Sequence, residues 1–201
     1  VDTAFDEGQM KIGRKLATKL LNASKFVLGF DATQAGEPTS VLDLLMLDRV
    51  RSVAAEATVA FDEFDYARAL ERTETVFWWF CDDYVELVKG RAYAGDPSAV
   101  GALRIALDIF QRLFAPFLPF ATEEVWSWWK SGSVHAQPWP AEQPSGADQT
   151  ALDVTCEVLA AIRRTKTEAK VSQRAEVSVV VARAPQSVLE ALTAGVPDLC
   201  T

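Results

Sequence analysis

The chain has 201 residues, 20 Lys and Arg against 28 Asp and Glu, a formal net charge of -8 and a pI near 4.8. That balance excludes a protein that coats nucleic acid through its overall charge, but not one with a local basic groove. Hydrophobic residues at 49% suffice for one or two packed domains, and no apolar run reaches the length of a membrane span.

Residues 3–29 read as the first helix, with Thr3 as N-cap, Asp6 and Glu7 in the first turn and Gly29 at the C′ position. At about 100° per residue, Ile12, Leu16, Leu20, Ala23 and Val27 form an apolar stripe. Lys11, Arg14, Lys15, Thr18, Lys19, Asn22, Lys25 and Phe26 share an arc of roughly 140°, and residues 11–30 contain no acid. Cations meet phosphates, a ring stacks on a base and an amide reads a base edge, so this is a composition suited to single-stranded RNA. The competing reading is a solvated basic face with Phe26 turned into the core.

After a loop over 31–40, a second helix runs from Ser40 to about Ala60, with Asp43 in a capping-box-like position. Leu42, Leu45, Met46, Val50 and Val53 face the core, while Asp48, Arg49, Arg51 and Glu56 pair on the solvent face. A third helix spans 65–93. Within it the adjacent Trp78 and Trp79 point in different directions, one into the core and one onto a neighbouring helix. A fourth, over 97–114, starts after Asp96 and Pro97 and is apolar on more than one side, which makes it the most enclosed. Pro116 and Pro119 break it, and a short helix restarts at Thr122 and ends near Lys130.

The Pro/Ser-rich stretch 131–148 reads as a loop laid over the bundle with Trp139 as anchor. A helix over 149–170 then ends in Arg163, Arg164, Lys166 and Lys170; the valine-rich 175–183 reads as a strand and 185–195 as a short helix. The fold class is mainly α: an antiparallel helical bundle followed by a small, possibly truncated α/β segment. The expected domains are a bundle over 1–130, the loop 131–148 and the α/β segment 149–201.

No phosphate loop, nucleophile set or zinc spacing occurs, so no catalytic residue and no metal ligand is assigned. His135, the only histidine, reads as a loop residue satisfied by backbone groups. The adjacent acids Asp82/Asp83 and Glu123/Glu124 do not converge as general acid and base. Cys81, Cys156 and Cys200 read as buried free thiols of a reducing compartment. The start and end of the sequence lead to the expectation of a piece of a longer cytoplasmic protein.

Four stretches carry a family resemblance: KLLNASKFVL (19–28), FCDDYVELVK (80–89), LFAPFLPFATEEVW (113–126) and SVHAQPWP (133–140). In order and spacing they resemble the anticodon-binding region of class I aminoacyl-tRNA synthetases, most closely the bacterial valyl branch. The third is shared with the isoleucyl and leucyl enzymes; the first and fourth together point to valine.

The resemblance implies a parent valine–tRNA ligase that uses ATP, with catalytic and editing domains elsewhere in the same protein, and no cofactor in this stretch. It implies valine tRNA as the partner and no membrane. Lys19, Asn22, Lys25 and Phe26 would face the anticodon, flanked by Lys11 and Lys15, with Glu86 reading a base amino group and Tyr84 supporting it. Relatives often have Arg at Lys25 and Trp at Asp83, which alters the geometry at both places. Two alternatives stand beside this reading: the same region of an isoleucyl or leucyl enzyme, and a helical protein-interaction module with no RNA role.

Overall fold

The computed structural model describes residues 7–141 and 143–200; the expected Thr3 cap and Asp6 lie outside them. In chain order come α1 (Glu7–Leu28), α2 (Val41–Asp62), α3 (Tyr66–Trp79), a π-helical turn (Phe80–Tyr84), α4 (Val85–Tyr93), α5 (Pro97–Phe114), α6 (Pro119–Ser127), α7 (Thr150–Glu168), α8 (Gln186–Leu192) and α9 (Val196–Leu199), with single 3-10 turns between some of them. The fold is a mainly-α helical bundle. Among the described residues there is no strand.

Helix α5 is the centre. The Asp96 carboxylate caps it by accepting the Ala99 N–H at 2.8 Å, and Pro97 occupies its first turn. Val100, Leu103, Leu107, Phe110, Leu113 and Phe114 are all buried, and Phe77 of α3 meets the rings of Phe110 and Phe114 edge-on at 5.1 and 5.2 Å. Gly101 lets the loop before α2 approach this helix: a Cβ there would stand 1.9 Å from the Gly36 carbonyl oxygen.

Several expectations are corrected. Ile12, assigned to the apolar stripe, is exposed, whereas Leu16, Leu20 and Val27 are buried. The first turns of α1 run past the bundle, so periodicity there has nothing to pack against. Asp43 makes no capping box. It is fully buried and accepts from Tyr84 Oη at 2.8 Å, Ser98 Oγ at 2.6 Å and Arg91 at 2.7 and 3.1 Å. The Ser40 N–H is satisfied by Ser98 Oγ instead.

Asp48, placed on the solvent face, is also buried. It accepts from Ser145 Oγ at 2.7 Å, the Ala147 N–H at 3.2 Å and the Ser145 N–H. These bonds tie the end of the 131–148 loop to α2, while Trp139 Nε1 donates to Thr58 Oγ1 at 2.8 Å at its middle. The short helix α6 begins at Pro119 rather than Thr122, because proline's fixed φ suits a first helical position.

The expected strand at 175–183 does not form. Val177, Val179, Val180 and Val181 are exposed, and no backbone hydrogen bond joins 176–184 to another segment among the described residues. A valine run expresses its β preference on a half-buried pleated surface, and no such surface lies alongside. The C-terminal piece is instead held by α7 and by Arg91. Leu152 and Cys156 of α7 belong to the main core cluster, and Arg91 Nε donates to Asp198 of α9.

Arg91 meets carboxylates from three places: Asp43 of α2, Asp96 at the α5 cap at 3.2 Å, and Asp198. Burial opposes its charge, but the bonds to Asp43 and Asp198 outweigh this and raise its pKa, so it stays protonated. Asp43→Ala leaves this guanidinium short of its central partner; urea unfolding should show a loss of about 3–5 kcal/mol.

Burial of Asp48 favours its neutral form, but hydrogen bonds from Ser145, Ala147 and Gly146 prevail and hold its carboxyl below the usual range. A pKa lower in the folded than in the unfolded chain adds stability above the unfolded value and loses it as pH falls through the folded one. Asp48→Asn should therefore cost about 1–3 kcal/mol at pH 7. In urea titrations the gap from the unaltered chain should narrow below about pH 4.

Candidate nucleic-acid interface

The basic arc of α1 is set by the burial of its opposite face. With Leu16, Leu20, Ser24 and Val27 buried, Lys11, Arg14, Lys15, Asn22 and Lys25 are turned outward, all exposed. Lys11, Arg14, Lys15, Thr18, Lys19 and Asn22 line one side of an open groove of about 490 Å³, and Trp78 of α3 forms its other wall. Among the described residues, Lys11, Arg14, Lys15 and Lys25 make no ion pair.

Lys19 is the cation held in place. Its ammonium lies 2.5 Å from Asp82 Oδ1 and 5.1 Å from the centre of the Trp78 ring, whose Nε1 donates to Glu74 at 3.0 Å. The pair is partly open to solvent, with the Asp82 side chain 54% accessible. An exposed pair of this kind contributes about 0.2–1 kcal/mol, so an incoming phosphate can take the place of Asp82.

Asp82 reaches Lys19 because of a local break in the helix. The sequence reading runs one helix through 65–93. In the structure the Val85 N–H bonds to the Phe80 carbonyl, an i to i+5 step that inserts one residue into the turn. Phe80 and Tyr84 both stay fully buried, and the intervening Asp82 is pushed out toward α1 while Asp83 stays half-buried.

Phe26 lies further along α1, outside the groove lining. It is half-buried and packs edge-on against Phe30 at 5.0 Å and Tyr93 at 6.0 Å. The three rings form a small aromatic surface with Lys25 beside it, and Tyr93 is 72% exposed. Glu86 on α4 is half-buried and paired with Lys89 at 2.7 Å. The structure thus gathers Lys11, Lys15, Lys19 and Asn22 into one groove, sets Lys25 and Phe26 beyond it, and places Glu86 on a different helix.

Trp78 is the residue that sequence reasoning missed. The sequence pattern assigns it to the core or to a neighbouring helix, whereas it is Trp79 that packs on the core and under Arg49, at 4.2 Å from ring centre to guanidinium. The missed signal is positional: two adjacent rings on a helix cannot share a face, and a glutamate four residues before Trp78 offers its Nε1 a surface partner.

Burial pushes the Cys81 and Cys156 thiols up to about 12, which keeps them protonated and inert, whereas Cys200, expected to be buried, is exposed at the end of α9. His135 is exposed, with its Nε2 3.1 Å from the Pro119 carbonyl oxygen. Among the described residues no cluster of His, Cys, Asp and Glu could hold a metal, and no helix is long and apolar enough to cross a membrane.

A helical bundle with a cation-lined groove beside partly exposed rings defines a class: a helical domain suited to meet nucleic acid. Residues 43–181 match the family described as anticodon-binding domain of tRNA ligase, and the chain belongs to that family. It is similar to the valine–tRNA ligases of Cutibacterium acnes (50% identical over 209 positions, 99% of this chain and 24% of the relative) and Thermobifida fusca (52% over 201 positions, 92% and 23%). That of Leifsonia xyli subsp. xyli is 51% identical over 212 positions, 98% of this chain and 25% of the relative. The chain spans about a quarter of the length of these relatives.

The position of Trp78 is open to a direct optical test. Anionic iodide, drawn into a basic groove, should quench the fluorescence lost in Trp78→Phe more strongly than caesium does. Equal quenching by the two ions would contradict the geometry.

Proposed function

We propose that the chain receives the anticodon of a valine tRNA, as the anticodon-binding part of a cytoplasmic valine–tRNA ligase. The remaining domains of that ligase would activate valine with ATP, attach it to the tRNA and edit mischarged product. The observation that carries the reading is the cation-lined groove of α1 in a chain of net charge -8. Similarity to valine–tRNA ligases over nearly the whole chain supports the choice of amino acid.

In this reading Lys11, Lys15 and Lys19 hold phosphates and Asn22 orients its neighbours or a base edge. Phe26, half-buried, offers the accessible part of its ring to a base, with Lys25 beside it, and Glu86 accepts from a base amino group once released from Lys89. The Lys19–Asp82 pair opens as RNA enters, exchanging a carboxylate for a phosphate of the same charge sign.

Lys25→Ala and Phe26→Ala should each weaken binding of an RNA hairpin carrying the valine anticodon. A stacked ring is worth about 1–3 kcal/mol per base, a loss of roughly 5- to 150-fold in affinity. Fluorescence anisotropy measures it, and thermal unfolding of Phe26→Ala separates lost stacking from lost packing. Unchanged affinity in both variants would refute the assignment. Binding as tight to an isoleucine or leucine anticodon would move the chain to a sister enzyme.

A further inference from the structure

A second set of cations lies outside the residues that line the α1 groove and has no role in the reading above. Arg163, Arg164 and Lys166 lie in the last turns of α7, with Lys170 just beyond it and Arg174 on the loop that follows. Among the described residues none of the five has a carboxylate within ion-pair distance, although Glu168 shares the helix and Asp83 faces Arg163. Arg164, Lys170 and Arg174 are exposed.

The patch is built rather than incidental. The loop folds back over the helix end: the Val171 N–H bonds to the Lys166 carbonyl at 3.0 Å and Lys166 Nζ donates to the Gln173 carbonyl at 3.1 Å. The Gln173 amide donates to the Arg163 carbonyl at 3.2 Å and to Thr167 Oγ1 at 2.9 Å. The closure is a Schellman turn, in which glycine is the usual C′ residue. Here Lys170 takes that place with a φ of +55°, a conformation that disfavours any residue with a Cβ. Lys166 already places a cation in the last turn, so the helix dipole gains little from a second one. A lysine stands where glycine would fold more easily.

The patch also meets the groove. Arg163 Nη1 donates to the Asp82 backbone carbonyl at 2.6 Å, while the carboxylate of the same residue holds Lys19. The two basic surfaces abut at Asp82, so a polyanion leaving the groove past Lys19 encounters α7 next.

We infer that Arg164, Lys170 and Arg174 form a second RNA contact, which grips the sugar–phosphate backbone of the strand continuing from the α1 groove. The inference rests on the proposed function. The contact reads charge and not sequence, because flexible exposed cations without a rigid partner make phosphate contacts.

The test uses the 201-residue chain and two RNA hairpins, one with the valine anticodon and one with an unrelated anticodon, titrated across a salt series. Arg164→Ala/Lys170→Gly/Arg174→Ala touches no side-chain bond described above. It should weaken binding of both hairpins by the same factor, on the order of 10-fold or more at 0.1 M salt, and lower the log–log salt slope by about 2. Lys170→Gly alone should weaken binding while leaving the melting temperature equal or higher, a pairing that a merely structural lysine would not produce.

If the triple variant binds like the unaltered chain while Lys11→Ala/Lys15→Ala loses affinity, the second contact is refuted and the groove stands. If the triple variant loses affinity and the Lys11/Lys15 variant does not, the α1 groove reading fails instead. A loss confined to one anticodon, with an unchanged slope, also overturns a backbone contact. No salt-dependent binding by the unaltered chain overturns both.

Discussion

The arrangement depends on one half-buried cation. Arg91 sits near the end of α4 and is held by carboxylates that reach it from α2, from the cap of α5 and from α9. Each carboxylate comes from a different stretch of chain, so the cluster forms only when those stretches are in register. Tyr84 donates to the same Asp43 that binds Arg91, which fixes the far end of the π-helical turn to the same point. Burial and Asp43 both push the Tyr84 hydroxyl well above its ordinary range, so it remains a donor.

From that anchored turn the groove follows. The extra residue between Phe80 and Val85 lets both buried rings stay inside and turns Asp82 toward α1. Asp82 then holds Lys19 against Trp78 and takes Arg163 on its carbonyl. A local irregularity in one helix thus sets the spacing between two basic surfaces. Much of the chain's remaining positive charge is consumed structurally: Arg49 bonds Asp153 at 2.5 Å and Arg112 bonds Asp108 at 2.5 Å. Cations free to meet an anion are therefore concentrated along α1 and at the end of α7, and the negative charge elsewhere disfavours wrapping RNA around the whole surface.

Helix identity and the central place of α5 were legible in the sequence because apolar spacing, Asp96 and Pro97 all agree there. The basic arc of α1 was legible for the same reason, since a helical period sorts it cleanly from Leu16, Leu20 and Val27. What was not legible depends on contacts distant in sequence. Asp43 and Asp48 look like helix-surface acids until Arg91 and Ser145 arrive from about 50 and 100 residues away. The π-helical turn leaves no mark on an apolar pattern that tolerates one inserted residue. The valine run at 175–183 has the composition of a strand, but a strand also needs a partner, and composition says nothing of that. Trp78 was hidden by Trp79 beside it: the pair announced that one ring leaves the core, not which groove it would line.

Crosslinking reports whether α1 lies against the anticodon loop. An RNA hairpin with 4-thiouridine in its anticodon loop would be irradiated with the chain, and the modified peptides mapped by mass spectrometry. Crosslinks are expected within residues 11–30 and at Trp78, competed away by the unlabelled hairpin. Crosslinks confined to the acidic side of α3 around Glu71 and Glu74, with none on α1, would contradict that placement.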